Sequence, residues 1–229
     1  EIETLLRLCA QLGVAKLPSH RFETLDDQVW ERAWMDAYQP IQCGKRLWVC
    51  PSHCAPPDAS AINIRLDPGL AFGTGTHPTT RLCLEWLAEH DLTRQHILDY
   101  GCGSGILAIG AALLEASQVW AVDIDPQALT ATDRNAALNG VSARLEAMHP
   151  DSLPMVTADV VVANILAGPL QRLEARLAEY TKPHGQIVLS GILERQASAV
   201  IDSYQMHFSL VSTKISEGWA RIELQRRAT

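Results

Sequence analysis

The chain has 229 residues, of which 47% are hydrophobic and 20% are charged, as is usual for a globular protein with one large domain. Its net charge of -7 at pH 7 excludes a broad, non-specific attraction for the phosphate backbone of nucleic acids. No apolar run approaches the roughly 18 residues that span a bilayer, and no signal peptide is visible, so we expect a cytoplasmic protein without a membrane contact.

The first 60 residues are irregular compared with the rest of the chain. Residues 1–13 have the pattern of an amphipathic helix, and a second helix is predicted over "DDQVWERAWMDAY" (26–38). A short strand is predicted in "RLWVCP" (46–51). We therefore expect residues 25–60 to form a linker of one helix and short strands.

The six cysteines are scattered, and only "CPSHC" (50–54) brings three potential metal ligands together. A structural zinc site normally takes four ligands, and no second cluster of ligands follows this one. We therefore predict free thiols and no metal.

From residue 92 onward, short apolar runs alternate with helix-length segments. The runs "HILDY", "QVWAVDID", "ADVVVAN" and "GQIVLSG" have the character of buried strands, and "ARLEAM" is a weaker one. This alternation predicts a doubly wound, mostly parallel α/β sheet with helices on both faces. Residues 208–227 break the alternation, because two strand patterns meet at Glu217 and Gly218 and predict a terminal antiparallel hairpin.

A glycine-rich stretch, "DYGCGSGILAIG" (99–110), follows the first of these strands. Its Gly101, Gly103 and Gly105 predict a tight turn that lets a ligand approach the backbone at the carboxyl end of a strand. A dinucleotide-binding turn has its third glycine three places after the second, and Ile106 stands there instead. A NAD-dependent enzyme is therefore disfavoured, whereas a turn without any ligand stays open as an alternative.

Three acidic residues accompany the turn. Asp123 ends the second strand, where a carboxylate can accept hydrogen bonds from both hydroxyls of a ribose. Asp125 precedes Pro126 and fits the cap of the next helix. Asp99, at the end of the first strand, is predicted either to brace the glycine turn or to contact a ligand ammonium group.

The segment "LDPGLAFGTGTHPTT" (66–80) is rich in glycine and in small hydroxyl residues such as Thr76, which suits a loop that folds over a ligand. Phe72 is interpreted either as a cover for the ligand or as ordinary packing. His77 could act as a general base, but we favour a structural role because polar caps are common where a helix begins.

Asn164 follows the apolar run "DVVVA" and is predicted at the carboxyl end of a strand beside the glycine turn. Its amide oxygen and the backbone carbonyls of Asn164 and Ile165 could accept hydrogen bonds from a substrate amine. No aromatic residue follows that could stack on a base, so a flexible alkyl amine suits the site better than a nucleobase. A helix cap is the alternative interpretation of Asn164.

Four segments together resemble the family of bacterial ribosomal protein L11 methyltransferases (PrmA): "LDPGLAFGTGTHPTT", "DYGCGSGILAIGA", "VDIDPQAL" and "VVANILAGPL". The resemblance runs from about residue 30 to the C terminus. It implies a seven-stranded, Rossmann-like class I methyltransferase domain over residues 61–229. Residues 1–24 resemble only the end of the N-terminal recognition domain that family members carry.

The resemblance also implies a reaction. The donor would be S-adenosylmethionine, the product S-adenosyl-L-homocysteine, and the acceptors lysine side-chain and N-terminal amines of ribosomal protein L11. Thr80 and Gly101 would contact the methionine part of the donor, Asp123 its ribose, and Asn164 the transferred methyl group. The full set of expected cofactor contacts is Phe72, Thr76, Thr80, Asp99, Gly101, Gly103, Asp123 and Asn164.

Catalysis would then rest on positioning and desolvation of the amine, with water taking its proton. The alternative is a methyltransferase of a small molecule or of a nucleic acid, which the negative charge disfavours. We expect no direct nucleic-acid binding, and we favour a monomer.

Overall fold

The computed structural model describes residues 9, 11–12, 39–66 and 75–228. The chain divides into two compact units, Glu1–Ala37 and Tyr38–Thr229, and the helices and strands with defined bounds belong to the second. The helices predicted over 1–13 and 26–38 lie wholly or mostly outside the described residues, as does Phe72. The domain limits expected from the sequence therefore stay a prediction.

Three short strands form a small sheet: β1 Ile41–Cys43, β2 Leu47–Cys50 and β3 Ile62–Arg65. Strand β2 pairs antiparallel with β1 and parallel with β3. It coincides with the strand predicted in "RLWVCP", because an apolar run flanked by polar and turn residues is a local signal.

Seven further strands form the main sheet. Their bounds are β4 His96–Tyr100, β5 Gln118–Val122, β6 Leu145–Met148, β7 Ala158–Asn164, β8 Thr181–Leu193, β9 Phe208–Ser216 and β10 Trp219–Arg226. The spatial order is β6-β5-β4-β7-β8-β10-β9. The first five strands in this order are parallel, and β10 pairs antiparallel with both β8 and β9. The predicted sheet and its terminal hairpin are confirmed.

Five α-helices occur among the described residues with defined bounds: α1 Pro78–Glu89, α2 Ile106–Leu113, α3 Pro126–Leu138, α4 Ala167–Tyr180 and α5 Ala197–Tyr204. None of these helices combines the length and the apolar character that crossing a bilayer requires.

The two faces of the main sheet are buried in separate hydrophobic clusters. Ile97 of β4 packs in the cluster that contains side chains of α1 and α2, and the next residue, Leu98, packs in the cluster that contains side chains of α4 and α5. Successive side chains of a strand point to opposite faces, so a sheet covered on both sides needs apolar residues at every position. This is the reason that its strands were visible as continuous apolar runs.

The small sheet shares the first of these clusters. Leu47 and Val49 of β2 and Ile64 of β3 are fully buried there, together with Leu84 of α1 and Ala108 of α2. The short strands that the sequence suggested as parts of a linker therefore contribute side chains to the core beside the main sheet.

Local signals set where the helices begin. His77 caps α1, since its ring nitrogen Nδ1 accepts a hydrogen bond from the backbone N–H of Thr79 at 3.3 Å. Asp125 caps α3 through the N–H of Gln127 at 2.9 Å, as predicted. Helix α2 begins only at Ile106 because Gly105 has a φ of +78°, a left-handed conformation that an α-helix does not continue.

Candidate active site

The glycine turn joins β4 to α2 at the carboxyl edge of the main sheet. Gly101 and Gly103 have φ angles of +88° and +55°, which side-chain-bearing residues rarely adopt. The backbone N–H groups of Gly101 and Cys102 donate to the carbonyl oxygen of Val122, at 2.7 and 3.0 Å. The turn is therefore held against the end of the neighbouring strand β5.

Packing, in addition to conformation, demands glycine in this turn. A Cβ on Gly101 would collide with Cγ2 of Ile165, and one on Gly105 would lie 2.8 Å from Cγ2 and Oγ1 of Thr132. From the sequence, the glycines were explained by a tight turn and by ligand access. The structure adds a second cause, which is close packing: Thr132, after β5, and Ile165, after β7, leave no room for side chains in the turn.

Asp123 lies directly after β5 and is half-buried. Its Oδ2 accepts a hydrogen bond from the N–H of Gly103 at 2.9 Å, and its Oδ1 accepts one from the N–H of Asp125 at 3.0 Å. A carboxylate has about four acceptor positions, so both oxygens keep capacity for further donors. Asp123 thus ties the tip of β5 to the glycine turn and can still bind a ligand hydroxyl.

Asp99 is almost fully buried beneath the turn and does not line the cavity at this edge of the sheet. Its Oδ2 accepts the N–H of Ala108 in the first turn of α2 at 3.0 Å. Burial raises the pKa of this carboxyl to about 7, with a smaller rise from the charge of Asp123, while the hydrogen bond from Ala108 opposes the shift. Of its two predicted roles, the position of Asp99 favours bracing the helix behind the turn.

The cavity has a volume of about 640 Å³, within the range of small-molecule sites. The predicted site residues that line it are Gly101, Gly103, Asp123, Asn164 and Ile165. Of the others, Thr80 lies behind Asn164, the exposed Thr76 does not line the cavity, and Phe72 is outside the described residues.

Asn164 is the last residue of β7, and its side chain points towards α1. Its amide nitrogen Nδ2 donates to the hydroxyl of the buried Thr80 at 3.3 Å. Its amide oxygen Oδ1 is buried and accepts no hydrogen bond from any residue that the structure describes. The capping residue of α4 is Leu166, so the alternative that Asn164 caps this helix is wrong.

The segment after Asn164 is tightly confined. A Cβ on Gly191, which has a φ of +82°, would collide with the carbonyl oxygen of Ile165. Ile165 is therefore held between Gly191 of β8 and Gly101 of the turn. A buried acceptor without a donor is energetically costly. The amide oxygen of Asn164 is such an acceptor, and it precedes the confined backbone of Ile165. Together they can orient an N–H donor.

Two of the aromatic rings that line this cavity, those of His77 and Trp219, pack against each other. The ring centroids of His77 and Trp219 are 4.8 Å apart, and the ring planes meet at 71°. The Nδ1 atom of His77 also lies 2.8 Å from the hydroxyl oxygen of Thr79, in keeping with the predicted structural role of this histidine. Trp219 and Gly191 were not predicted as site residues, although a tryptophan directly after the turn of a predicted hairpin was the available signal.

The stretch "CPSHC" does not assemble a metal site. Cys50 is buried, its Sγ lies 3.5 Å from Oδ1 of Asn63, and burial raises the pKa of its thiol. Within residues 9, 11–12, 39–66 and 75–228, no group of three His, Cys, Asp or Glu side chains is placed to hold a metal ion.

Known proteins resemble this chain in both sequence and fold. Residues 2–227 match the family model described as ribosomal protein L11 methyltransferase (PrmA). A ribosomal protein L11 methyltransferase of Pseudomonas paraeruginosa is 53% identical over 98% of this chain and 76% of its own length. The enzyme of that name from Azotobacter vinelandii is 50% identical over 99% of this chain and 78% of its own length.

Solved structures agree with these sequence matches. The crystal structure of a ribosomal protein L11 methylase from Lactobacillus delbrueckii subsp. bulgaricus has a TM-score of 0.75 and 31% identity, covering 83% of this chain and all of that one. An RNA methyltransferase from Salinibacter ruber, solved with S-adenosyl-L-homocysteine, has a TM-score of 0.54, 20% identity and coverage of 67% of this chain and 95% of its own, and shares the fold alone. From the family model and these close relatives together, the chain belongs to the ribosomal protein L11 methyltransferase (PrmA) family.

Proposed function

We propose that this chain transfers methyl groups from S-adenosylmethionine to lysine side-chain and N-terminal amines of ribosomal protein L11, in the cytoplasm. Membership of the family supports methyl transfer to this ribosomal protein. The observation that carries the choice of an amine as acceptor is the buried amide oxygen of Asn164, which has no hydrogen-bond donor among the described residues.

The residues at the sheet edge fit the donor. When bound, S-adenosylmethionine supplies an activated methyl group. Asp123 has free acceptor capacity for two ribose hydroxyls, because its two present hydrogen bonds use only one position on each oxygen. Ile124 is 76% exposed and lines the cavity, so its side chain offers an apolar surface to the adenine ring.

The methionine part of the donor would lie against Gly101 and near Thr80. Thr80 acts here through its hydroxyl group, which holds the amide of Asn164 in one orientation. Thr76 and Phe72 remain predicted contacts from the loop that precedes α1.

The acceptor amine would be oriented by two oxygens. The amide oxygen of Asn164 and the backbone carbonyl of Ile165 accept its two N–H bonds, which leaves the nitrogen lone pair directed at the methyl group. A free lysine has a pKa of about 10.4, and transfer into an apolar cavity lowers that pKa because the charged form loses its hydration. His77 is engaged as the cap of α1, so we assign the proton to water and the rate to positioning and desolvation.

The test is methylation of defined acceptors. The purified chain and radiolabelled S-adenosylmethionine are incubated with ribosomal protein L11 in one reaction and with ribosomal RNA in another. We expect label in the protein, on lysine and N-terminal amines, and none in the RNA. Label in RNA alone, which the alternative of a nucleic-acid methyltransferase predicts, would refute the proposal, as would a wild-type chain that binds the donor and labels no L11.

A further inference from the structure

The glycine turn is bound by helix α3 as well as by the strands beside it. Resting on the function proposed above, we propose that Thr132 and Asn135 of α3 are positioning residues for the methyl donor. They hold the backbone of the turn so that the carbonyl group of Gly101 is left to accept the ammonium group of the donor. Neither side chain lines the cavity, so both act through the turn.

Two side chains of α3 bind neighbouring carbonyl groups of the turn. The hydroxyl of Thr132 donates to the carbonyl oxygen of Gly103 at 3.1 Å, and the amide nitrogen Nδ2 of Asn135 donates to that of Ser104 at 2.9 Å. Residues three apart lie on one face of a helix, so a single face of α3 holds two successive peptide groups. Thr132 is fully buried, so water does not readily replace its hydroxyl as a donor.

The thiol of Cys102 orders the hydroxyl of Thr132. Its Sγ lies 3.4 Å from Oγ1 of Thr132. Burial raises the pKa of this thiol well above its usual range, with a smaller rise from the charge of Asp99, so the thiol stays protonated. A hydroxyl has one proton, which Thr132 gives to Gly103, and the thiol proton is therefore directed at the hydroxyl oxygen. The three groups form a chain of hydrogen bonds with one direction.

The bonds from α3 leave one carbonyl group of the turn for a ligand. The carbonyls of residues 102 and 105 accept backbone N–H groups from the turn itself and from α2, both at 2.8 Å. Those of Gly103 and Ser104 are bound to α3. The carbonyl oxygen of Gly101 accepts no hydrogen bond from any residue that the structure describes, and Gly101 lines the cavity. An ammonium group has only donors, so this oxygen is a suitable partner for it.

Loss of either bond from α3 should disturb this arrangement. A part-buried carbonyl without a donor is costly, so we expect the turn to shift until Gly103 or Ser104 finds another partner. Such a shift displaces the carbonyl of Gly101. Asp123 keeps its own bond to the N–H of Gly103 and stays at the tip of β5. The loss should therefore fall on the amino-acid part of the donor, and the adenosine part should be bound as before.

The experiment replaces Thr132 by Val, which keeps the shape without the hydroxyl, and by Ser, which keeps the hydroxyl. Thr130→Val is the matched control, because Thr130 lies on the same helix and its exposed hydroxyl donates to the carbonyl of Pro126 in α3 itself, at 2.9 Å. Calorimetry gives the affinities for S-adenosyl-L-homocysteine and for 5′-methylthioadenosine, which keeps the adenosine and lacks the amino and carboxyl groups.

For Thr132→Val we expect the Kd of S-adenosyl-L-homocysteine to rise at least about fivefold and that of 5′-methylthioadenosine to change by less than about twofold. Thr132→Ser and Thr130→Val should stay within about twofold of wild type for both ligands. Asn135→Ala removes the other bond and should show the same pattern as Thr132→Val. Because Asn135 is only half-buried, this variant tests the inference even where Thr132→Val does not fold.

Unchanged affinity for S-adenosyl-L-homocysteine in the folded variants would overturn this inference. Equal losses for the two ligands would also overturn it, since a general loosening of the site affects both parts of the donor. None of these measurements involves L11, so failure of the proposed function would appear separately, as a wild-type chain that binds S-adenosyl-L-homocysteine and labels no L11.

Discussion

The amide nitrogen of Asn164 lies 3.3 Å from the hydroxyl oxygen of Thr80, which links the end of β7 to the first turn of α1. This hydrogen bond determines the orientation of the amide. Because Nδ2 donates to Thr80, Oδ1 points away from Thr80. Oδ1 consequently receives no hydrogen bond from the described residues. The orientation of one amide thus depends on a residue contributed by a different part of the chain.

Replacement of Asn164 by Ala should reduce turnover far more than donor affinity. Loss of an orienting hydrogen bond costs roughly 1.5–3 kcal/mol when the partner is charged or becomes so, equivalent to about 10- to 150-fold in kcat. We expect the Kd for S-adenosylmethionine, measured by calorimetry, to change by less than about threefold. Thr80→Val, which removes only the group that holds the amide, should show a smaller loss of kcat. Comparable losses in kcat and in donor affinity for Asn164→Ala would contradict the assigned role.

Replacement of Asp123 by Ala should weaken donor binding. The variant loses the acceptor for the ribose hydroxyls and the bond to the N–H of Gly103, so we expect the Kd to rise at least about tenfold. Asp123→Asn keeps one acceptor oxygen, so its Kd should lie between those of wild type and Asp123→Ala. The neighbouring Asp125 supplies the control, because Asp125→Ala should cost about 1 kcal/mol of stability as a lost cap and leave the Kd unchanged. Unchanged affinity in Asp123→Ala would refute the ribose contact.

Two glycines with similar backbone angles should respond differently to alanine. Gly101 and Gly140 have φ angles of +88° and +68°, but only at Gly101 would a Cβ meet another side chain, that of Ile165. Gly140→Ala should cost roughly 1–2 kcal/mol from its left-handed conformation alone. Gly101→Ala should cost more and displace Ile165, so that donor binding falls as well. Chemical denaturation and calorimetry check the two effects, and equal behaviour of the two variants would show that the contact with Ile165 is unimportant.

Asp99 should make stability depend on pH between about 4 and 7. Its folded pKa of about 7 lies above the ordinary value of 3.8, so the folded state binds more protons than the unfolded state in this range. Stability from this group is therefore present below pH 3.8 and is lost as the pH rises towards 7, by up to about 1.4 kcal/mol per pH unit.

Asp99→Asn should remove this loss, because the amide does not ionise and its oxygen can still accept from Ala108. The unfolding free energy of the variant relative to wild type should increase as the pH is raised from 4 to 7. Asp91→Asn is the control, since hydrogen bonds from Thr93 lower the pKa of that exposed carboxyl below 3.8, so its contribution to stability changes only below about pH 4 and its difference from wild type should stay flat from pH 4 to 7. A pH-independent difference for Asp99→Asn would show that Asp99 ionises normally.

Features with local causes could be predicted from the sequence. Strands β4 and β7 match "HILDY" and "ADVVVAN" residue for residue, because a strand buried on both faces is apolar throughout. The cap of α3 was predicted from an acidic residue that precedes a proline. The turn at Gly218 was predicted from the two strand patterns that meet there. The glycine turn and the polar residue after the apolar run of β7 were likewise visible, because both lie where strands end.

Features that depend on distant contacts could not be predicted in this way. The burial of β2 beside α2 requires two segments far apart in sequence to share one core. Nothing near Gly191 indicates that its missing side chain makes room for the carbonyl of Ile165. Trp219 reaches the cavity only because β10 turns back to pair with β8, which places the start of one strand beside the end of another.

The sequence by itself determined the α/β class, the order of the strands along the chain and the residues that end them, since hydrophobic period and turn chemistry are properties of neighbouring residues. Only the tertiary structure decided which of these residues meet. It placed Asp99 behind the cavity and Asp123 at its wall, oriented the amide of Asn164 through Thr80, and brought Trp219 to the same cavity. Such relations arise from packing and hydrogen bonding between segments that the chain order separates, and so they exist only once the sheet has assembled.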